Sequence, residues 1–182
     1  AELLDYFYPH KRMGIAVDEW GVWHPEAGIE NGLEQPGTLR DAVFAASLLH
    51  TLMAHAGHVR MANLAQAVNG LHCLAQTHED LLVLSPTYHV YDMMRPHMGA
   101  AALTFDLDCG TYAARPEGAA ETVSTPHVTA GVSTTGKRVL ATVANQTVDE
   151  TVELRIDFRD AQANSVSGRV LQADSPSAVN GP

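Results

Sequence analysis

Positive charge is scarce in this chain: 11 lysines and arginines stand against 21 aspartates and glutamates, a formal net charge of −10. So acidic a chain repels phosphate backbones and anionic lipid, which argues against nucleic acid or a membrane surface as partner and leaves a neutral ligand such as a carbohydrate unaffected. Cysteine is scarce too. Cys73 and Cys109 are the only two, and they sit in segments of different character without metal-type spacing, so no disulfide framework is expected and a reducing, cytoplasmic compartment is the default. No apolar run reaches the length needed to span a bilayer, and the opening AELLDYFYPHKR lacks the basic-then-apolar order of a secretory leader. A glycine-rich phosphate loop, a Gly-x-Ser-x-Gly elbow and a Cys/His nucleophile pair are missing as well. The chain does not begin with Met, and its natural start is expected further upstream.

What is present is an ordinary globular composition, 182 residues with 46% hydrophobic and 18% charged. That suffices for one large or two small domains with a real core. The stretch around which the rest is arranged is Met13 to Trp23, MGIAVDEWGVW. Ile15, Ala16 and Val17 have strand character and run into Asp18 and Glu19, flanked by Trp20 and Trp23, the only two tryptophans. Carboxylates at the C-terminal end of a buried strand, beside indole rings, suit sugar cleavage on the rim of a barrel. A strand ending in a solvated acidic loop fits the same pattern. Because successive side chains of a regular strand point to opposite faces, only one of Asp18 and Glu19 is the catalytic candidate and the other is structural.

The segment from His24 to Gly37 is rich in Gly, Pro and acid and reads as a rim loop. Thr38 followed three residues later by Asp41 is a capping pattern, and the apolar steps Leu39, Ala42, Val43, Ala46, Leu49 and Met53 predict a helix packed on a sheet, stopped by Gly57. Val59 to Ala62 is the next strand, which makes strand, loop, helix, strand half of a parallel βα repeat. Amides at Asn63, Gln66 and Asn69 are either satisfied core groups or ligand contacts. Leu71 to Gln76 looks helical, Leu81 to Leu84 is a brief apolar run, and Ser85-Pro86 opens a helix reaching about His97.

Beyond Gly99 the patterning changes to Val- and Thr-rich runs: Ala101 to Leu107, Val128 to Ser133, Arg138 to Ala144, Thr151 to Phe158 and Ser165 to Leu171. An antiparallel sandwich is expected there, with a boundary near Gly99 to Ala102, and the tail from Asp174 to Pro182 is expected to be extended and partly loose. Among the ten histidines, His55 and His58 form an i, i+3 pair, but no Glu or Cys is placed to complete a metal site. Neither a metal nor a cofactor is expected.

VDEWGVW, QPGTLRDAVFAASLLHTLMAHAGHVRMANLAQAVN, LSPTYHVYDMMRPH and SGRVLQAD together resemble, in order and type, the C-terminal portion of the family-51 glycoside hydrolases, mostly α-L-arabinofuranosidases. That resemblance implies an α/β part followed by an all-β part. Residues 1–100 would be the last βα units of an incomplete (β/α)8 barrel, and 101–182 a jelly-roll-like antiparallel β-sandwich. It implies retaining hydrolysis with Glu19 as nucleophile, Trp23 as a wall of the sugar pocket and Gln66 as a partner of sugar hydroxyls. The implied partners are an arabinose-containing oligo- or polysaccharide, the remainder of the same enzyme and, for the full-length parent, further copies of itself in a homo-oligomer.

Two departures stand out. The family's acid/base glutamate follows Asn on an earlier strand, yet no Asn-Glu dipeptide occurs in this chain, so a C-terminal fragment inactive on its own is expected. Gly21 stands where Asn is common, and the His24 to Gly37 loop is short, which implies a different leaving-group side. Another retaining glycosidase, such as an endoglucanase or β-xylosidase, is the alternative within enzymes. A non-catalytic sugar-binding or assembly module is the alternative outside them, with little for it, since from Ala101 onward the only aromatics are Phe105, Tyr112 and Phe158.

Overall fold

The structure, a computed structural model, describes residues 2–10, 13–136, 138–159 and 162–181. A short helix α1 (Glu2–Phe7), which the sequence patterning did not announce, precedes strand β1 (Ile15–Trp20). Helix α2 (Leu39–Ala54) then carries the chain across to strand β2 (Val59–Leu64), which lies parallel to β1. Parallel neighbours need such a crossover, and the predicted strand–loop–helix–strand order supplies it. Helix α2 starts where its cap predicts: the Asp41 N–H donates to Thr38 Oγ1 at 3.3 Å while the Thr38 N–H donates to Asp41 Oδ2 at 2.9 Å.

The helix expected over Leu71 to Gln76 does not form. Asn69, Gly70 and Leu71 take positive φ values of 52°, 65° and 42°, a left-handed passage that a helix cannot contain and that an Asn-Gly pair favours. The chain instead turns into a hairpin of β3 (Ala75–His78) and β4 (Leu81–Leu84). Helix α3 (Pro86–Met94) follows, with Ser85 Oγ accepting from the Tyr88 N–H at 3.3 Å and Pro86 in the first turn, where its missing N–H costs nothing. A 3₁₀ turn, Arg95–His97, extends it to the predicted end.

From there the pairing is antiparallel throughout. Strands β5 (Ala101–Ala102), β8 (Val128–Thr135) and β9 (Arg138–Asn145) form one sheet in the order β5-β8-β9, and β6 (Thr111–Ala114) pairs with β7 (Val123–Pro126). An α/β part followed by an antiparallel all-β part is thus the architecture, as expected. Among the described residues the parallel sheet has two strands, so no barrel closes within this chain. The strand expected at Ala101 to Leu107 shrinks to two residues. Those expected at Thr151 to Phe158 and Ser165 to Leu171 form no ladder, and Leu154, Ile156 and Phe158 are left 45%, 54% and 40% exposed. Alternation specifies a face, but a strand also needs a neighbour to bond.

Helix α2 is the central element. One side packs on α3 through a core of Ala42, Val90 and Met94, joined by Leu39, Ala46, Leu49, Met53 and, from the unpaired segment, Leu171. Another side lies on β8 and β9. The close approach is at Gly131, where an added Cβ would stand 2.9 Å from both His50 Cδ2 and Met53 Cε. The tail is not loose. The Leu39 and Arg40 N–H groups donate to the carbonyls of Ala178 (2.9 Å) and Pro176 (2.8 Å), and Asn180 Nδ2 donates to the Leu84 carbonyl at 2.7 Å. Unsatisfied N–H groups at a helix start attract any acceptor within reach, and here the tail supplies them. Among the described residues no helix is long and apolar enough to cross a membrane.

Candidate active site

Residues Val17 and Trp20 of β1 are in register with Ala62 and Leu64 of β2, so Asp18 and Glu19 together face the single residue Asn63. This is a bulge, and it changes the expectation drawn from strict alternation. The more buried positions of β1 run Ile15, Val17 and Trp20, and both Asp18 and Glu19 are exposed. Trp20 faces the helices, stacked on Tyr91 of α3 with ring centroids 6.3 Å apart and planes 16° off parallel. Burial pushes the Tyr91 hydroxyl up to about 12, and neither its oxygen nor Trp20 Nε1 has a hydrogen-bond partner among the described residues. Trp20 is therefore core, not sugar surface.

The last rung of the parallel ladder is the Ala65 N–H donating to the Trp20 carbonyl at 3.0 Å. Glu19 stands one residue before that rung on β1, and Gln66 one residue after it beyond β2. Both lie exposed at the C-terminal rim of the sheet, the end at which parallel βα units carry their chemistry. Among the described residues the Glu19 carboxylate has no hydrogen-bond or ion-pair partner. Trp23 lies past Gly21 and Val22. Its indole N–H donates to the Ala27 carbonyl at 2.8 Å, and the residue is 62% exposed, a ring fixed by one edge with its surface open.

The loop behind Trp23 is more ordered than its Gly/Pro-rich composition suggests. Gln35, 4% exposed, donates through Nε2 to the Val22 carbonyl at 2.9 Å and accepts the His24 N–H at 2.9 Å. His24 Nε2–H donates to Asp41 Oδ1 at 3.0 Å, and the second oxygen, Oδ2, takes the Thr38 N–H and hydroxyl. Asp41 is fully buried. Burial would raise its pKa, but the hydrogen bonds from His24 and Thr38 outweigh that and hold the carboxyl below the usual carboxylate range. The helix cap predicted at Thr38 and Asp41 is thus also the anchor of the rim loop.

Sequence reasoning passed over His72, 1% exposed, which accepts the Val22 N–H at Nδ1 (3.1 Å) and bonds Thr87 Oγ1 through Nε2 at 2.8 Å. The Asn69-Gly70 turn before it was the available signal. Gly21 has a packing reason of its own, since a Cβ there would stand 2.9 Å from the His72 Cβ and 3.2 Å from the Ala65 carbonyl oxygen. Of the paired histidines, His55 caps the end of α2 and His58 meets Asp5 at 3.1 Å. Among the described residues no group of three or more His, Cys, Asp or Glu gathers that could hold a metal ion.

A carboxylate, an open indole and an amide thus lie at the C-terminal end of the parallel strands, and an antiparallel β part follows. The chain belongs to the family-51 α-L-arabinofuranosidases: the family model described as the α-L-arabinofuranosidase C-terminal domain matches residues 18–182. Similar relatives include an intracellular exo-α-L-arabinofuranosidase of Bacteroides ovatus, 32% identical over 98% of this chain and 34% of that protein. A probable α-L-arabinofuranosidase C of Aspergillus clavatus is 28% identical over 93% of this chain and likewise 34% of its own length. Among solved structures, the GH51 arabinofuranosidase of Xanthomonas axonopodis pv. citri superposes with a TM-score of 0.69 at 31% identity, covering 79% of this chain and 29% of that one. The chain spans about a third of the length of the curated relatives it matches.

Proposed function

We propose that the polypeptide containing this chain is a retaining, exo-acting α-L-arabinofuranosidase that removes terminal arabinofuranosyl groups from arabinoxylan, arabinan and derived oligosaccharides. Residues 1–100 supply the last βα units of its (β/α)8 barrel, and 101–182 a trailing sandwich domain. The observation that carries the proposal is the position of Glu19 on the bulge at the C-terminal end of β1, with Gln66 just past the last rung on the neighbouring strand and the open Trp23 ring four residues further along.

In the first step the Glu19 carboxylate attacks the anomeric carbon as the glycosidic C–O bond breaks, and a second carboxyl group protonates the departing oxygen. In the second step that group takes a proton from water, whose oxygen displaces Glu19 and restores the original configuration. Such carboxyls stand about 5–5.5 Å apart. With no Asn-Glu dipeptide in the sequence, the second carboxyl comes from the rest of the polypeptide, so residues 1–182 alone do not turn over. Trp23 walls the sugar pocket and Gln66 bonds sugar hydroxyls. An intracellular setting, after the name of the Bacteroides relative, and assembly into a homo-oligomer belong to the same proposal.

The test is hydrolysis of 4-nitrophenyl glycosides by the intact polypeptide. Release from the α-L-arabinofuranoside with retention of configuration is expected. Release from a β-glucoside or β-xyloside instead would replace the proposal with another retaining glycosidase.

A further inference from the structure

Glu19 and Trp23 are joined by Trp20, Gly21 and Val22, and the middle of that link is held from two directions. The Val22 N–H donates to His72 Nδ1 at 3.1 Å, and the Val22 carbonyl accepts Gln35 Nε2 at 2.9 Å. Because Nδ1 accepts, its lone pair is free and the ring proton sits on Nε2, from which it is donated to Thr87 Oγ1 at 2.8 Å on α3. Thr87 is itself fully buried, His72 is 1% exposed and the Phe44 ring stands 6.3 Å from the imidazole, so both hydrogen bonds of the ring are shielded from water. Both backbone groups of the residue before Trp23 are therefore fixed by side chains, and His72 is the one anchored to a helix.

We propose that His72 is a positioning residue of the sugar pocket: as the Nε2–H tautomer it holds the Val22 amide and so sets the Trp23 ring relative to Glu19. The proposal rests on the reading of Trp23 as pocket wall. It assigns His72 no contact with substrate. It also accounts for Gly21, whose lack of a side chain lets the imidazole reach the strand end. Burial holds the imidazole pKa below the ordinary histidine value, the buried Asp41 raising it and His24 lowering it, which keeps the ring neutral and Nδ1 an acceptor at neutral pH.

His72→Asn places an amide oxygen near the position of Nδ1, whereas His72→Gln reaches toward Thr87 and offers Val22 nothing. Two readouts on the intact polypeptide decide the matter: hydrogen exchange of residues 19–24 by mass spectrometry, and KM and kcat on 4-nitrophenyl α-L-arabinofuranoside. The expected result is exchange about tenfold faster and KM about tenfold higher in His72→Gln, one hydrogen bond's worth, with kcat within about threefold of the parent. His72→Asn should restore both. Unchanged exchange in His72→Gln, or faster exchange with KM unmoved, overturns the proposal. If the wild-type polypeptide releases nothing from the arabinofuranoside, the arabinofuranosidase reading falls, and the exchange comparison alone decides whether His72 holds Val22.

Discussion

His50 on α2 and His97 in the 3₁₀ turn after α3 bond the same hydroxyl, Thr142 Oγ1 of β9, at 3.0 Å and 3.1 Å. Thr129 Oγ1 donates to Ser47 Oγ at 3.2 Å, so the hydroxyl is free to accept from His50 Nδ1–H at 2.9 Å. Thr142 Oγ1 has one proton and two acceptors for it, His50 Nε2 and, at 3.5 Å, the Gly131 carbonyl, while His97 bonds Thr142 Oγ1 through Nε2 and Ser133 Oγ through Nδ1 at 2.7 Å. Every ring nitrogen of the two histidines has one hydroxyl partner. This network is the polar seam between the helices and the β8–β9 sheet.

Acid should open that seam. Burial, with the neighbouring His97, lowers the His50 pKa to about 4, and burial lowers that of His97 as well. The unfolded chain therefore binds protons first as pH falls. Stability from His50 is complete above about 6.5 and is lost progressively towards pH 4, on the order of 3 kcal/mol in all. Thermal unfolding of the intact polypeptide across that range should show Tm falling with pH, and a His50→Leu variant should show a flatter slope. Equal slopes in both would remove His50 as the cause.

Gly131→Ala should be costly for its size. The new methyl would meet the His50 ring, held on both sides by hydrogen bonds, and the movable end of Met53, so a loss of about 1–3 kcal/mol is expected. Denaturant titration measures it. A neutral effect would mean that α2 and β8 are less tightly apposed than described.

Asp41→Asn removes the charge from a fully buried carboxylate that holds both His24 and the Thr38 cap. Breaking such a bonded pair should cost about 1–3 kcal/mol at pH 7. The folded pKa is depressed, so the contribution of the native carboxylate is present above about 4 and disappears as pH falls through its folded value. Urea unfolding at pH 7 and at pH 3 should accordingly show a smaller gap between parent and variant at the second pH than at the first.

For the chemistry, Glu19→Ala in the intact polypeptide should abolish turnover, and azide should restore part of it by attacking the anomeric carbon in place of the missing carboxylate, giving a glycosyl azide. Full activity in that variant would take Glu19 out of the role.

What was legible in the sequence was local. The Thr38–Asp41 cap, the Pro86 helix start and the strand at Ile15 each depend on residues within one turn or a few positions, and each appears where expected. The Asn69-Gly70 pair was an equally local turn signal, but the sequence reading took no account of it and placed a helix over Leu71 to Gln76. Other features were beyond any pattern. The bulge at Asp18 and Glu19 depends on how β1 registers against β2, and His72 reaches Val22 from 50 positions away. The run from Thr151 to Phe158 shows the complementary failure, since Val152, Leu154, Ile156 and Phe158 alternate with Glu153, Arg155 and Asp157, which says nothing about which strand would bond it.

The docking of residues 176–178 on the first turn of α2 has a consequence for how the protein is made. Leu39 and Arg40 emerge from the ribosome well before Pro176 and Ala178, to whose carbonyls their N–H groups donate. Domains form in order of synthesis, N-terminal first, and until residues 176–178 are made these two N–H groups face water. Until then the Thr38–Asp41–His24 anchor of the rim loop stands at the end of an unfinished helix. A nascent polypeptide interrupted anywhere before residue 176 would therefore carry the first turn of α2 without the two bonds that its own later residues supply.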